Sequence, residues 1–133
     1  MARITKIKVR VYHLDLYGHV NHARYLEMME DARWQFVEDM MKLEQWETLK
    51  IDFVVVNINL DFKHPALLHD VLSIESKIES IGNKSMIVNQ VFTNKITGKT
   101  IANGNVTLVL WDKESQRARL ITDDIRKFFT AIS

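Results

Sequence analysis

The residues that could do chemistry crowd into one stretch, Tyr12-His13-Leu14-Asp15-Leu16-Tyr17-Gly18-His19-Val20-Asn21-His22-Ala23-Arg24-Tyr25. Asp15 is its only carboxylate, and His19, Asn21 and His22 follow closely. A carboxylate can attack a carbonyl carbon directly, or take the proton of a water that attacks in its place. Either route needs donors for the oxyanion that develops, and backbone N–H groups at the start of a helix supply them. A thioester suits so small an apparatus, because its thiolate leaves more readily than an alkoxide or an amide nitrogen. The same residue types have humbler uses. An aspartate in a strand-to-helix loop often shapes a turn, and a histidine there often bonds locally.

The elements that must position these side chains are legible in the periodicity. Residues 4 to 12 set Ile7, Val9 and Val11 between basic residues, which predicts a half-buried strand. From Ala23 to Met41, Tyr25, Leu26, Met29, Ala32, Phe36 and Met40 recur every three or four positions, against Glu27, Asp31, Gln35 and Glu38 on another face. That spacing predicts an amphipathic helix of about five turns, with Asn21 as its N-cap. A short helix over Leu43 to Leu49 follows. Phe53 to Phe62 predicts a strand with Val54, Val56, Ile58, Leu60 and Phe62 on one face, ended by Pro65. Strands over 71–81 and 84–93 flank Gly82-Asn83, where a glycine at positive φ would close a hairpin. A second hairpin turns near Thr97-Gly98 into a strand from Thr100 to Trp111, with Gly104 as a bulge. Thr122 to Ile132 predicts a closing helix. A strand, a long helix and then a run of hairpin-joined strands give an α+β class, an antiparallel sheet wrapped around one central helix.

Composition narrows the function classes. One proline and four glycines among 133 residues leave no linker, so a single domain over 1–133 is expected. Lys and Arg number 18 against 17 Asp and Glu, a net charge of +1 that offers no basic field for nucleic acid. No window holds the roughly 20 apolar residues of a membrane span. The segment Met1 to Lys8 mixes charge with apolar residues, so no signal peptide is expected there. Cysteine is absent, which removes disulfides, thiolate zinc sites and a cysteine nucleophile, and points to the cytoplasm. With no Gly-rich phosphate loop and no HExxH pair, neither a metal nor a cofactor is expected.

A resemblance makes the chemistry specific. Asp15-x-x-Gly18-His19-Val20-Asn21-x-x-x-Tyr25, followed by an acidic amphipathic helix, resembles the active-site segment of the hotdog-fold acyl-CoA thioesterases related to 4-hydroxybenzoyl-CoA thioesterase. The likeness continues through Tyr25-Leu26-Glu27, Glu30-Asp31-Ala32-Arg33-Trp34, Phe53-Val54-Val55-Val56-Asn57-Ile58-Asn59 and Pro65-Ala66, and is strongest to the bacterial long-chain acyl-CoA thioesterase III group. It spans most of the chain. The resemblance implies Asp15 as the catalytic carboxylate and the backbone amide near His22 as the group that polarises the thioester carbonyl. His19 and Asn21 also resemble the His-Val-Asn segment of plant acyl-ACP thioesterases. There an asparagine stands two residues before the histidine, where this chain has Tyr17, so His19 is assigned a supporting part. The substrate implied is acyl-CoA, with hydrolysis to free fatty acid and CoA, and the assembly implied is a homodimer or homotetramer with sites between subunits. Exposed sheet edges ask for such cover on physical grounds as well.

Softer candidates have two readings each. Met28, Met29, Met40 and Met41 with Trp34 and Phe36 could line an acyl tunnel, but a stripe at helical spacing reads first as core. Lys63-His64 and Lys84-Ser85 could meet CoA phosphates, though turn-proximal lysines are usually just solvated. Other functions fit the same segment: an acyl-ACP thioesterase, an enoyl-thioester hydratase or dehydratase using Asp15 with His19, and a non-catalytic acyl-thioester binding module.

Overall fold

The computed structural model describes residues 2–40 and 42–133. Strand β1 (Arg3–Lys8) leads through a 3-10 turn (Val11–His13) to helix α1 (His22–Met40) and the short helix α2 (Leu43–Leu49). Strands β2 (Phe53–Phe62), β3 (Val71–Ile81), β4 (Ser85–Asn94) and β5 (Thr100–Asp112) follow, then a two-residue strand β6 (Arg117–Ala118) and helix α3 (Asp123–Ile132). The sheet runs β1-β3-β4-β5-β2, all neighbours antiparallel, with β6 added at the end of β5. The α+β order expected from the sequence is the observed one.

Alternation builds the core. Leu72, Ile74, Ser76 and Ile78 of β3 are buried, as are Met86, Val88, Gln90 and Phe92 of β4 and Ala102, Val106, Leu108 and Leu110 of β5. Pairing puts them in rows across the sheet, such as Ile74–Phe92–Ala102 and Ser76–Gln90–Gly104–Leu60. Helix α1 sets Tyr25, Met28, Met29, Ala32 and Phe36 into the same core. Each of the larger apolar side chains among these contributes roughly 1.5–3 kcal/mol by leaving water. Leu26, expected on that face, is exposed, because it sits one position off the stripe that Tyr25, Met29 and Ala32 make.

Four further local expectations are corrected. The first strand ends at Lys8, not residue 12: Val9 still bonds across to His69 and Asp70, but His13 N–H then donates to Arg10 O and turns the chain, leaving Val11 71% exposed. The five residues expected on one face of β2 do not share one. A register shift between Val55 and Asn57 bulges Val56 out, so Phe53 and Val55 stand opposite Leu110 and Leu108, and below the bulge Ile58 and Leu60 oppose Val106 and Gly104. Val56, the bulged residue, is the most exposed of the three valines, at 58% against 40% for Val54 and Val55. Gly82 and Gly104 also play other parts than expected. Gly82 is not at positive φ, whereas Gly98 is, with Asn94 Oδ1 accepting from Ile96 N–H and Thr97 N–H across that turn.

Gly104 pairs without a bulge, and its glycine serves close packing. A Cβ there would lie 2.6 Å from Asn59 O and 2.9 Å from Leu60 Cδ1 on the adjacent β2. Gly104→Ala should therefore force β2 away from β5 and destabilise the fold by about 1–3 kcal/mol. Urea unfolding of the variant against the parent measures this; an unchanged midpoint would refute the close-packing role.

Candidate active site

The loop that carries Asp15 is folded by its own side chains. Tyr17 N–H and His19 N–H donate to Asp15 Oδ1 at 2.9 and 3.2 Å, and Gly18 N–H donates to Asp15 O at 3.1 Å. This is an aspartate-headed turn, and it closes through Gly18 at φ 75°, where a β-carbon would be strained. Asp15 N–H donates to His19 O at 2.8 Å, so the turn is pinned at both ends. The humble reading of Asp15 is thus satisfied by one of its oxygens.

A second loop, between β2 and β3, holds this turn in place. Val20 N–H donates to Ala66 O at 2.9 Å, and His19 bridges Leu67. Leu67 N–H in turn donates to Asp70 Oδ2 at 2.9 Å, and Asp70 O accepts from Val9 N–H at 2.8 Å. Helix α1 then starts as expected. Asn21 Oδ1 accepts from Ala23 N–H at 2.9 Å, and Asn21 O accepts from Arg24 N–H at the same distance. Between them, His22 N–H bonds to no acceptor among the described residues.

These pieces frame one cleft of about 350 Å³, and the structure brings Asp15, His19 and His22 together in its wall. Val20, Tyr25, Phe62, Lys63, His64 and Pro65 complete it. Of the softer candidates, Lys63 and His64 thus join the cleft. Lys84, at the β3–β4 turn, does not. Lys63 and His64 share the cleft wall with Asp15, and His64 Nδ1 lies 2.9 Å from Thr100 O. His13 is excluded from the wall, and its Nδ1 accepts from Arg10 N–H at 2.8 Å. Burial, then the charges of Arg24 and Arg10, hold its pKa below the ordinary value, with the Glu27 charge working against them.

Tyr25 is the cleft residue that the motif reading used only as a signpost. It is 3% exposed, its ring edge-on to both Phe62 and Phe92 at 5.2 Å, so it joins the cleft to the core. Its signal in the sequence was its place on the apolar stripe of α1. The methionine reading resolves toward packing: Met28 and Met29 are buried core, while Trp34 and Phe36 line a second cavity. Met41 lies outside the described residues.

Over residues 9–129 the chain matches the model of the thioesterase-like superfamily. It belongs to that family. The long-chain acyl-CoA thioesterase FadM of Escherichia coli strain K12 is 42% identical over 123 residues, covering 92% of this chain and 93% of the relative. Among solved structures, the Escherichia coli protein YbaW, described as a "Probable Thioesterase", superposes with a TM-score of 0.89 at 40% identity over 97% of each chain. The 1,4-dihydroxy-2-naphthoyl-CoA thioesterase Slr0204 from Synechocystis reaches 0.84 at 14% identity, over 98% of this chain and 96% of its own, which speaks for the fold alone. The hotdog architecture implied by the sequence resemblance is therefore the family's, and thioester hydrolysis is the activity that membership supports.

Burial pushes the Tyr25 phenol up from 10.0 to about 12, with the Asp70 charge adding to the rise and an Ala66 backbone hydrogen bond working against it. A raised acid favours the folded state while it is neutral. Stability from this group should be complete below pH 10 and lost as pH climbs through about 12. Urea unfolding at several pH values should show a falling alkaline limb that Tyr25→Phe flattens; an equal limb in both proteins would rule the assignment out.

Proposed function

We propose that this chain hydrolyses the thioester of long-chain acyl-CoA, releasing a free fatty acid and CoA, with Asp15 as the reacting carboxylate. The observation that carries the reading is the shared cleft: Asp15 faces the same space as the first turn of α1, where His22 N–H lacks a protein acceptor among the described residues. A thioester carbonyl oxygen at that amide gains a donor and the positive end of the helix as its charge develops. Either a water deprotonated by Asp15 bonds to the carbonyl carbon and the C–S bond breaks to give the acid and the thiolate, or an oxygen of Asp15 bonds there itself. In the second route the C–S bond breaks likewise, and a water hydrolyses the resulting anhydride to release the fatty acid and restore the carboxylate. His19 supports this arrangement through its backbone, which both donates to Asp15 Oδ1 and accepts from Asp15 N–H. Lys63 gives the cleft a cationic group suited to the phosphates of CoA, with the His64 ring beside it. The long-chain assignment is supported by the name of the 42% identical relative.

The reading extends to the whole chain. Residues 1–133 act as one domain, working in the cytoplasm; no helix among the described residues is long and apolar enough to cross a membrane. The protomer pairs with a second copy, as a homodimer or a homotetramer. Strand β2 is an edge, paired only with β5, and it shows Val54, Val55 and Val56 to solvent, an edge that calls for cover. Light scattering should give at least a dimer, and Val56→Lys should shift it toward monomer. An active monomeric parent would refute the pairing.

Thiol release from acyl-CoAs of graded length tests the chemistry. The ratio kcat/KM should climb with chain length. Asp15→Asn should lower turnover by about 10²-fold or more, the usual share of a positioned acid–base or nucleophilic group, with stability little changed. His22→Pro offers a sharper probe. Proline is tolerated at the first position of a helix and deletes only the N–H there. With His22→Ala as its control, it should cost about 10²–10³-fold in kcat, as loss of an oxyanion donor does. A folded Asp15→Asn protein with near-normal release would end the Asp15 assignment, and an unaffected His22→Pro would end that of the amide.

A further inference from the structure

Beneath the second half of α1 lies a cavity of about 290 Å³ that shares no lining residue with the Asp15 cleft. Phe36, Ile51, Phe53, Ile78, Val88 and Leu108 give it an apolar wall. Its volume is about twice that of the roughly 150 Å³ apolar cavity known to hold a benzene, so it has room for about a dozen heavy atoms.

One charged group breaks the apolar lining in a particular way. Arg33, half-buried, donates from Nη1 to Gln90 Oε1 at 3.0 Å. Gln90 is fully buried and immobilised by its own bonds to Met29 O and Ser76 Oγ. The guanidinium is thus held in orientation by a neutral amide. Among the described residues no carboxylate lies in ion-pair range of it. A guanidinium has five N–H donors in a planar fork, and among the described residues one protein acceptor, Gln90 Oε1, engages it. Burial already pushes its pKa down, the nearby Glu30 charge working against that fall. An alkyl ligand that expels water from this cavity strands those donors unless it brings an acceptor with it. The group that fits a planar fork is a carboxylate.

We propose that this cavity is a separate binding site for an aliphatic carboxylate of about ten carbons, a free fatty acid, with its tail on the apolar wall and its carboxylate on Arg33. The proposal leans on the thioesterase reading only for the source of the ligand, which would be that reaction's product class. The other acidic groups on the cavity are accounted for. Asp52 pairs with Lys113 at 3.3 Å, whereas exposed Glu30, one turn before Arg33, has no ion pair among the described residues and repels an arriving anion. Glu30 therefore sets a ceiling on affinity that a neutral residue would lift.

Trp34 and Trp46 line the cavity and report on its contents. The experiment is fluorescence quenching of the full chain by ω-bromodecanoate and by ω-bromodecanol, which share a tail and differ at the head. The acid should quench saturably and bind about tenfold or more tighter than the alcohol, the scale of one hydrogen bond to a charged group. Arg33→Gln should erase that preference and leave alcohol binding as it was, and Arg33→Lys, charged but without a fork, should fall between. Glu30→Gln should tighten the acid alone, and it carries the test if Arg33→Gln does not fold. Asp15→Asn should change neither ligand. Acid and alcohol quenching equally in the parent, a folded Arg33→Gln protein that keeps the preference, or loss of quenching in Asp15→Asn would each overturn the proposal. Because quenching needs no turnover, a chain that releases no thiol can still show this site, and an active thioesterase can fail to.

Discussion

A single buried amide ties the working parts of this molecule together. Gln90 stands in the middle strand of the sheet with no exposed surface, and all three of its bonds leave β4: to Ser76 on β3, and to Met29 O and Arg33 on α1. Burying a primary amide without partners costs on the order of 1–3 kcal/mol, so the helix is held at the one axial position that satisfies it. That constraint reaches both ends of the helix. It fixes where the His22 amide stands relative to the loops at one end, and it aims the Arg33 fork into the cavity toward the other. Apolar burial alone would hold α1 against the sheet but would let it slide, because methionine and alanine contacts are tolerant of small shifts. Gly104 belongs to the same row as Ser76 and Gln90, and its missing side chain lets Leu60 of β2 close the row tightly.

The cleft depends on a different kind of bond. Its two walls come largely from loops 13–21 and 63–70, far apart in sequence, and the Val20 to Ala66 backbone hydrogen bond and the His19–Leu67 bridge join them, while Val9 ties Asp70 to the end of β1. Those bonds do not depend on side-chain identity except at Asp70, whose carboxylate caps the Leu67 amide. The loops can therefore vary the residues that face substrate while the frame stays put, which is the usual division of labour between a scaffold and its functional loops.

Much of this was legible in the sequence because the strongest signals are local. The period of α1, the Asn21 cap, the two hairpins and the α3 segment were all readable, and Thr122 does accept from Ile125 N–H at the start of α3. The failures at β2 and at Gly104 share one physical origin, since each needed knowledge of a neighbouring strand. Nothing in Val54-Val55-Val56 says which valine will bulge; that is decided by pairing with Leu108 and Thr107. Gly104 looks like a bulge until Leu60 is known to lie beside it. The site followed the same division. Asp15, His19 and His22 were visible as a cluster in one segment, and the structure places them in one cleft. Phe62 and Pro65 reach that cleft only through the fold, and the Arg33–Gln90 contact spans 57 positions, beyond any local pattern.

The turn-forming reading of Asp15 and the proposed catalytic one call on the same geometry. A turn-forming aspartate bonds forward to backbone amides, and here Oδ1 alone receives both, from Tyr17 and His19. Those bonds remove the rotational freedom that a free carboxylate would have to lose at the moment of reaction, so the turn does the orienting that the proposed chemistry requires. They also set a requirement on Gly18, because the turn closes only with that residue at φ 75°. A substitution there would be read first as a stability defect, since a side chain in the left-handed region costs about 1–2 kcal/mol. Its second effect would be on the aim of the carboxylate. Structure and proposed catalysis thus draw on the same few hydrogen bonds, which is why a motif of common turn residues can also carry a reactive group.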